Sequence, residues 1–287
     1  MYKETLLERL ENSDRLPRLP QNISEILAML KNPMDVDLDA LVEKVTQSGE
    51  LNKLMINNIN SGYFRVARKI TTIRDAVVYL GMQTVQNLLI FFISRQLFSG
   101  VPRTHKKRTF DMPTYWRHVI GTSAASSLLS SRIKQGDPYK LFTYGLIHDI
   151  GIALLDACLP ELIDDVSEKV LGGIHQLAAE RAVFGGITHA EIGAWLCGKW
   201  NIREDITNIV AYHHTPFIAK TNISEVRLLH VADVISTEYY EKLLGVSINH
   251  KISPHILNAL GITDTDVQAV ADALPQEVES LHSYFIA

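Results

Sequence analysis

Cysteine is scarce in this chain, which has 287 residues and two cysteines, Cys158 and Cys197. The two lack a CxxC spacing and a secretory context, so we expect reduced thiols in a cytoplasmic protein and no disulfide framework. The opening stretch, residues 1–14, is charged and amphipathic, and it lacks the apolar segment that a signal peptide requires.

Long hydrophobic runs and a surplus of positive charge are also missing. The most apolar run, Leu88 to Ser94, is interrupted by Arg95 after about 7 residues, whereas a membrane span needs about 20. The formal net charge is −4, and the basic cluster at residues 106–108 is small. We therefore expect neither an integral membrane segment nor a nucleic-acid partner.

Helical periodicity dominates what is present. Apolar residues recur at three- and four-residue intervals along most of the chain, as in Ile23, Ile26, Leu27 and Leu30. This spacing is typical of amphipathic helices that pack on a core, and no segment alternates as a strand does. Hydrophobic residues make up 46% of the chain and charged residues 21%, as in ordinary globular proteins. We predict an all-α fold.

One segment interrupts the periodicity and predicts a division of the chain. Residues 99–113 contain glycine, two prolines and several basic residues, a composition typical of a linker. We place an N-terminal helical lobe at residues 1–108 and a second helical lobe at residues 109–287, and we expect the two to pack into one body.

Most of the eleven histidines follow this linker, and several stand beside carboxylates or small residues on predicted helices. The candidate metal-binding residues are His118, His148, Asp149, His189, His213, His214 and Asp233. Imidazole nitrogen and carboxylate oxygen suit the same metals, and a carboxylate can bridge two ions that together activate water. A single histidine or one His-Asp pair is more often structural, so the hypothesis depends on the ordered set. His230, three residues before Asp233, is at most a group beside the ligands; the remaining histidines lack this context, and we expect structural roles for them.

The order H…HD…H…HH…D resembles the HD superfamily of metal-dependent phosphohydrolases, and residues 144–151 resemble the central helix of that family. The resemblance implies one divalent ion held by His118, His148, Asp149 and Asp233. It also implies that Asp149 bridges to a second ion held by His189 and His213, with His214 as a further ligand or as a group beside the ligands. The ions would be iron, manganese or zinc.

The first half of the chain is similar to a narrower family. Residues 16–20 (LPRLP), 60–64 (NSGYF) and 73–81 (IRDAVVYLG) strongly resemble the HDOD domain, the HD-related output domain, as do residues 188–196 and 212–216. The resemblance extends from about residue 14 to about residue 240. It implies a two-lobed, all-α module of bacterial signal transduction, with input from a protein partner or from a ligand such as a phosphate or nucleotide.

Two departures from catalytic relatives affect the predicted activity. The HD-GYP family, which hydrolyses cyclic di-GMP, has a lysine soon after the His-Asp pair, where this chain has Ile152. It also has a Gly-Tyr-Pro element after the double histidine, where this chain has Thr215-Pro216-Phe217. A nearby cation is often worth several kcal/mol to a phosphoryl transition state. We predict a signalling protein with a retained metal site and no robust catalysis. The alternative is a metal-dependent phosphohydrolase that acts on a nucleotide or another phosphate ester.

Overall fold

The computed structural model describes residues 2–31, 36–99 and 108–285. Within these ranges the chain forms sixteen α-helices and no β-strand, which confirms the all-α prediction. The sequence predicts that the helix containing Ile23 to Leu30 ends at Asn32-Pro33, but these two residues lie outside the described ranges, as does most of the predicted linker.

Six helices precede the gap at residues 100–107. They are α1 (Tyr2–Glu11), α2 (Gln21–Leu30), α3 (Leu38–Gln47), α4 (Gly49–Ile59), α5 (Ile73–Leu80) and α6 (Met82–Ser99). Side-chain caps begin two of them: the Asp37 carboxylate accepts two backbone amides at the start of α3, and Thr72 accepts the amide of Asp75 at the start of α5. Helix α6 is buried on all sides from Thr84 to Ser94, so it forms the centre of this part.

Ten helices follow the gap. They are α7 (Met112–Ile133), α8 (Pro138–Ile147), α9 (Ile150–Cys158), α10 (Pro160–Leu171), α11 (Gln176–Val183), α12 (His189–Lys199), α13 (Glu204–Tyr212), α14 (Ile223–Leu243), α15 (Pro254–Leu260) and α16 (Asp264–Phe285). Helix α7 packs against α8, α14 and α16. Small residues permit this close packing, because a Cβ atom on Gly145 would lie 2.5 Å from the Cα of Ser123.

The apolar pattern of the segment Pro138 to Leu155 predicts one helix, but the structure divides it into α8 and α9, so that prediction is wrong at its centre. The backbone of Asp149 leaves the helical region, with φ −101° and ψ 25°. The break lets the backbone of Gly151 approach α12, where a Cβ on Gly151 would lie 2.1 Å from the His189 carbonyl oxygen. The His-Asp pair therefore stands at a helix junction.

The segment Pro138–Cys158 also meets the length and composition expected of a membrane span. However, 89% of its apolar window is buried inside the protein, as is usual for a core helix of a soluble protein. It is the one segment of this kind among the residues that the structure describes. A single buried segment is weak evidence for a membrane location.

The helices on either side of the gap share one apolar core. A buried polar network also joins them: Arg203 donates to Gln86 and Asn87 of α6 and pairs with Asp205 at 2.7 Å, while Asn87 donates to Thr143 of α8 at 2.9 Å. The division into lobes at residues 108 and 109 stays a prediction, because the boundary adjoins undescribed residues.

Candidate metal centre

All seven predicted side chains lie together where six helices meet. They are His118 on α7, His148 and Asp149 between α8 and α9, His189 at the first position of α12, His213 and His214 at the end of α13, and Asp233 on α14. Six of the seven residues are buried, and His214 is half-buried. Five of the seven side chains lie at helix ends, and the packing of the helices brings together residues as far apart in sequence as His118 and Asp233.

The first donor set surrounds one oxygen of Asp149. The Oδ2 atom lies 3.3 Å from His118 Nε2 and 3.2 Å from His148 Nε2. Asp233 Oδ1 approaches the same two nitrogens, at 3.3 Å and 3.5 Å. These four side chains are the first donor set.

The second donor set surrounds the other oxygen of Asp149. The Oδ1 atom lies 2.9 Å from His189 Nε2 and 3.3 Å from His213 Nε2. His214 Nε2 is 3.1 Å from His189 Nε2, and its Nδ1 is 3.3 Å from Asp233 Oδ2. Asp149, His189, His213 and His214 form the second donor set, so one carboxylate belongs to both sets.

The spacing of these atoms fits a cation. Four donors placed about 2.1 Å from one ion at tetrahedral corners would be about 3.4 Å apart. The nitrogen–oxygen distances of the first donor set, from 3.2 Å to 3.5 Å, surround that value. His148 Nε2, Asp149 Oδ1 and Asp233 Oδ1 are buried without a hydrogen-bond partner, which is costly unless a cation or proton compensates.

Hydrogen bonds at the far ring nitrogens orient three of the histidines. His148 Nδ1 lies 2.7 Å from the Gly145 carbonyl, and His213 Nδ1 lies 2.9 Å from the Val210 carbonyl. A carbonyl only accepts, so these Nδ1 atoms donate, and in the neutral ring Nε2 carries the lone pair. His189 Nδ1 lies in the same way against a carboxylate oxygen, Oε1 of Glu180. Lone pairs that face one another, as at His189 and His213, favour a cation between them.

Two residues of the site were missed from the sequence. Glu180 is fully buried; its Oε1 lies 2.7 Å from His189 Nδ1, and its Oε2 accepts the His189 backbone amide at 2.9 Å. The Tyr115 hydroxyl donates to Asp149 Oδ2. Tyr115 precedes His118 by one helical turn, a spacing that could have revealed it. Glu180 belongs to another helix than His189, and no sequence spacing points to it.

The electrostatics of the site keep the carboxylates ionised. Without a metal ion, burial alone would raise the pKa of Asp149, but protonated His148 and His189 hold that pKa well below its usual range, and a bound cation would take the place of those protons at Nε2. Burial lowers the pKa of His148, but the neighbouring carboxylates together raise it more strongly, and the pKa of His148 rises to about 10. Burial lowers the pKa of His213 and His214, so both stay neutral and able to donate a lone pair.

Access to the site is narrow. Only 4% of the Asp149 side chain and 20% of the His214 side chain are exposed. A cavity that Asp149 and Tyr115 line has a volume of about 50 Å³, which is room for a few water molecules. Ile152 is buried in the core, so no cation stands at that position.

Comparisons with known proteins identify relatives of this chain. A sequence model of the HDOD domain matches residues 16–216. An uncharacterized protein of Treponema pallidum is 26% identical over 210 residues, which are 70% of this chain and 38% of that protein. This chain therefore spans about two fifths of the length of that relative.

Solved structures share the fold. An HDOD domain protein of unknown function from Geobacter sulfurreducens has a TM-score of 0.70 and 24% identity, with 99% of this chain and 97% of that chain covered. A candidate signal transduction protein from Marinobacter aquaeolei has a TM-score of 0.73 and 20% identity, with 100% and 66% covered. A candidate phosphohydrolase from Shewanella amazonensis has a TM-score of 0.68 and 24% identity, with 98% and 97% covered.

Proposed function

Because the chain belongs to the HDOD domain family and gathers seven histidine and aspartate side chains at one point, we propose that it is a cytoplasmic bacterial signalling module that holds two divalent metal ions without robust hydrolytic activity. The observation that carries the proposal is Asp149, whose two oxygens face two different donor sets. Iron, manganese and zinc all accept such a mixture of imidazole and carboxylate ligands.

The roles of the residues follow from their contacts. His118, His148 and Asp233 would hold one ion, and His189, His213 and His214 the other, with Asp149 shared. When bound, a pair of ions of this kind supplies a Lewis acid and an activated hydroxide. Glu180 and the carbonyl of Gly145 orient the histidine rings that would bind them.

Two features favour signalling over hydrolysis. Only 4% of the Asp149 side chain and 20% of the His214 side chain are exposed, so little of the donor set is open to a substrate. The buried Ile152 offers no positive charge to a phosphoryl group. Metal ions alone do not position a substrate, and positioning supplies much of the rate enhancement of an enzyme. The ions would therefore serve the conformation of the module.

The alternative function is a metal-dependent phosphohydrolase that acts on a nucleotide or another phosphate ester. The complete double donor set favours it, since a site kept only for stability needs no bridging carboxylate. Both functions predict metal binding, so activity separates them.

Hydrolysis assays on the metal-loaded protein test the proposal. Cyclic dinucleotides, mononucleotides and a simple phosphodiester are incubated with wild type, with Asp149→Ala and with Asp165→Ala, a control at an exposed aspartate. We expect rates near background for all three proteins. Metal-dependent turnover in wild type and Asp165→Ala that disappears in Asp149→Ala would instead establish the phosphohydrolase.

The input to the module would come from another protein or from a small ligand. The net charge of −4 disfavours nucleic acid as the partner. We propose that a phosphate-bearing ligand or a protein partner shifts the packing of the helices around the metal centre.

A further inference from the structure

A second concave site lies away from the metal centre, where the turn after α4 meets α7, the start of α8 and α16. Its volume is about 680 Å³, within the range of sites for small molecules. Residues with hydroxyl groups line part of it, namely Ser61, Tyr63, Ser127 and Tyr139, and so do Arg65 and Glu277. We name these six residues the hydroxyl cleft.

Two hydroxyl groups of the hydroxyl cleft have no hydrogen-bond partner although both are buried: Ser61 Oγ and the Tyr63 hydroxyl. Ser127 is close enough to lower the pKa of Tyr63, which burial raises, but the pair lacks the geometry of a hydrogen bond. The neighbouring Tyr139 differs, because its hydroxyl donates to the Phe64 carbonyl at 3.0 Å. Buried polar groups are nearly always satisfied, so an unpartnered pair that lines a cleft indicates a ligand.

The Tyr63 ring is fixed in position. It stacks on Phe142 with ring centroids 3.8 Å apart and contacts Phe64 edge to face at 5.1 Å. A rigid ring presents its hydroxyl at one place, which lowers the entropic cost of binding. The hydroxyl is therefore a preorganised donor or acceptor.

Residues of opposite charge, Arg65 and Glu277, line the same cleft as Tyr63. Arg65 adopts a left-handed backbone conformation, with φ 46°, and its carbonyl accepts the Tyr79 hydroxyl at 2.8 Å. Strained backbone of this kind persists where the surroundings hold it, often at ligand sites.

We propose that the hydroxyl cleft binds a small phosphate ester of a sugar or nucleoside. Arg65 would pair with the phosphate, because guanidinium groups match phosphate oxygens in geometry and charge. Glu277 would accept hydrogen bonds from sugar hydroxyls, and Ser61 and Tyr63 would complete the set. Bound there, the ligand touches helices of both predicted lobes.

The hydroxyl cleft is joined to the metal centre through α7. Ser127 lies nine residues after His118 on that helix, about 13–14 Å along its axis. The role of the ligand as a signal rests on the proposed function, whereas its binding does not depend on the metal centre. An experiment on the metal-free protein therefore separates the two.

Calorimetric titration of the full chain, in the presence of a chelator, tests the proposal. The probes are ribose 5-phosphate, AMP, GMP and inorganic phosphate. We expect saturable binding of at least one ester, weaker binding of inorganic phosphate, and the same affinities in Asp149→Ala. No saturable binding of any ester at millimolar concentration would overturn the proposal, and loss of binding in Asp149→Ala would assign the ligand to the metal centre.

Variants within the hydroxyl cleft locate the ligand. Tyr63→Phe keeps the ring and removes the hydroxyl, and Arg65→Gln removes the charge; each should weaken binding about tenfold or more. Arg68→Gln is the matched control, because Arg68 lies in the same loop between α4 and α5, is exposed and stands 3.9 Å from Asp75. Tyr63→Phe should leave the thermal stability unchanged or higher, since no hydrogen bond is lost. Equal affinities in all variants would contradict the assignment.

Discussion

Glu180 provides the sharpest test of how the fold supports the metal centre. Its carboxylate accepts from three donors: His189 Nδ1, the His189 backbone amide and Gln176 Nε2, at 2.7 Å, 2.9 Å and 2.9 Å. In Glu180→Gln one carboxylate oxygen becomes an amide NH₂, which is itself a donor. At least one of the buried donors then loses its acceptor.

Two magnitudes follow from this loss. A buried donor without an acceptor costs about 1–3 kcal/mol, so the free energy of unfolding should fall by that amount. The His189 Nδ1 atom, which lies 2.7 Å and 2.8 Å from the two Glu180 oxygens, would keep one acceptor at most and would lose the negative charge that raises the basicity of the ring. Replacing a group that orients a ligand in this way typically weakens metal affinity about 10–100-fold.

Glu241→Gln is the matched control. Glu241 is also buried, and its oxygens accept from His250 Nε2 at 2.8 Å and from the Ile248 amide at 3.2 Å, but it contacts none of the seven donors. Metal affinity is measured by competition with a chromophoric chelator, and stability by urea denaturation of the metal-free proteins. We expect similar losses of stability and a loss of metal affinity in Glu180→Gln alone. Unchanged affinity in Glu180→Gln would refute this account of His189.

Two further predictions concern packing and pH. Gly151→Ala would place a Cβ 2.1 Å from the His189 carbonyl oxygen, so it should lower the free energy of unfolding by about 1–3 kcal/mol or more and weaken metal binding. Gly198, where a Cβ would meet no atom, is the control, and alanine there should raise the free energy of unfolding by up to about 1 kcal/mol. Denaturation curves measure both changes in stability. The hydrogen bond to Glu241 raises the pKa of His250, so the stability that His250 contributes is present below about pH 6.5 and is lost as pH rises through the raised folded-state pKa. The stability difference between wild type and His250→Gln should therefore shrink in denaturation curves from about pH 6 to about pH 9, and a constant difference would contradict this.

Local signals in the sequence predicted much of the helical structure. Asp37 and Thr72 are residue types that cap helices, and they do cap α3 and α5, because side-chain capping depends on residues within one turn. The pattern of residues 254–285 predicts two helices, and the structure has α15 and α16 there. The break at His148-Asp149 was missed, since the apolar pattern continues through it and the approach of α12 to Gly151 is a tertiary contact.

The residues of the candidate site also fall into two groups, those that the sequence indicated and those that only the structure reveals. The family resemblance supplied all seven donors, and the structure places them together. Glu180 and the hydroxyl cleft depend on contacts between different helices, such as Tyr63 with Phe142, and neither has a fixed sequence spacing. A single sequence does not encode such pairs in a form that periodicity can reveal.

Metal stoichiometry tests the central claim most directly. Wild type and Asp149→Ala are loaded in turn with manganese, iron and zinc, freed of excess metal and examined by elemental analysis against protein concentration. We predict about two ions per wild-type chain for at least one metal, and a loss of both in the variant because Asp149 belongs to both donor sets. Wild type that binds none of the three metals, or Asp149→Ala that retains two ions, would contradict the account.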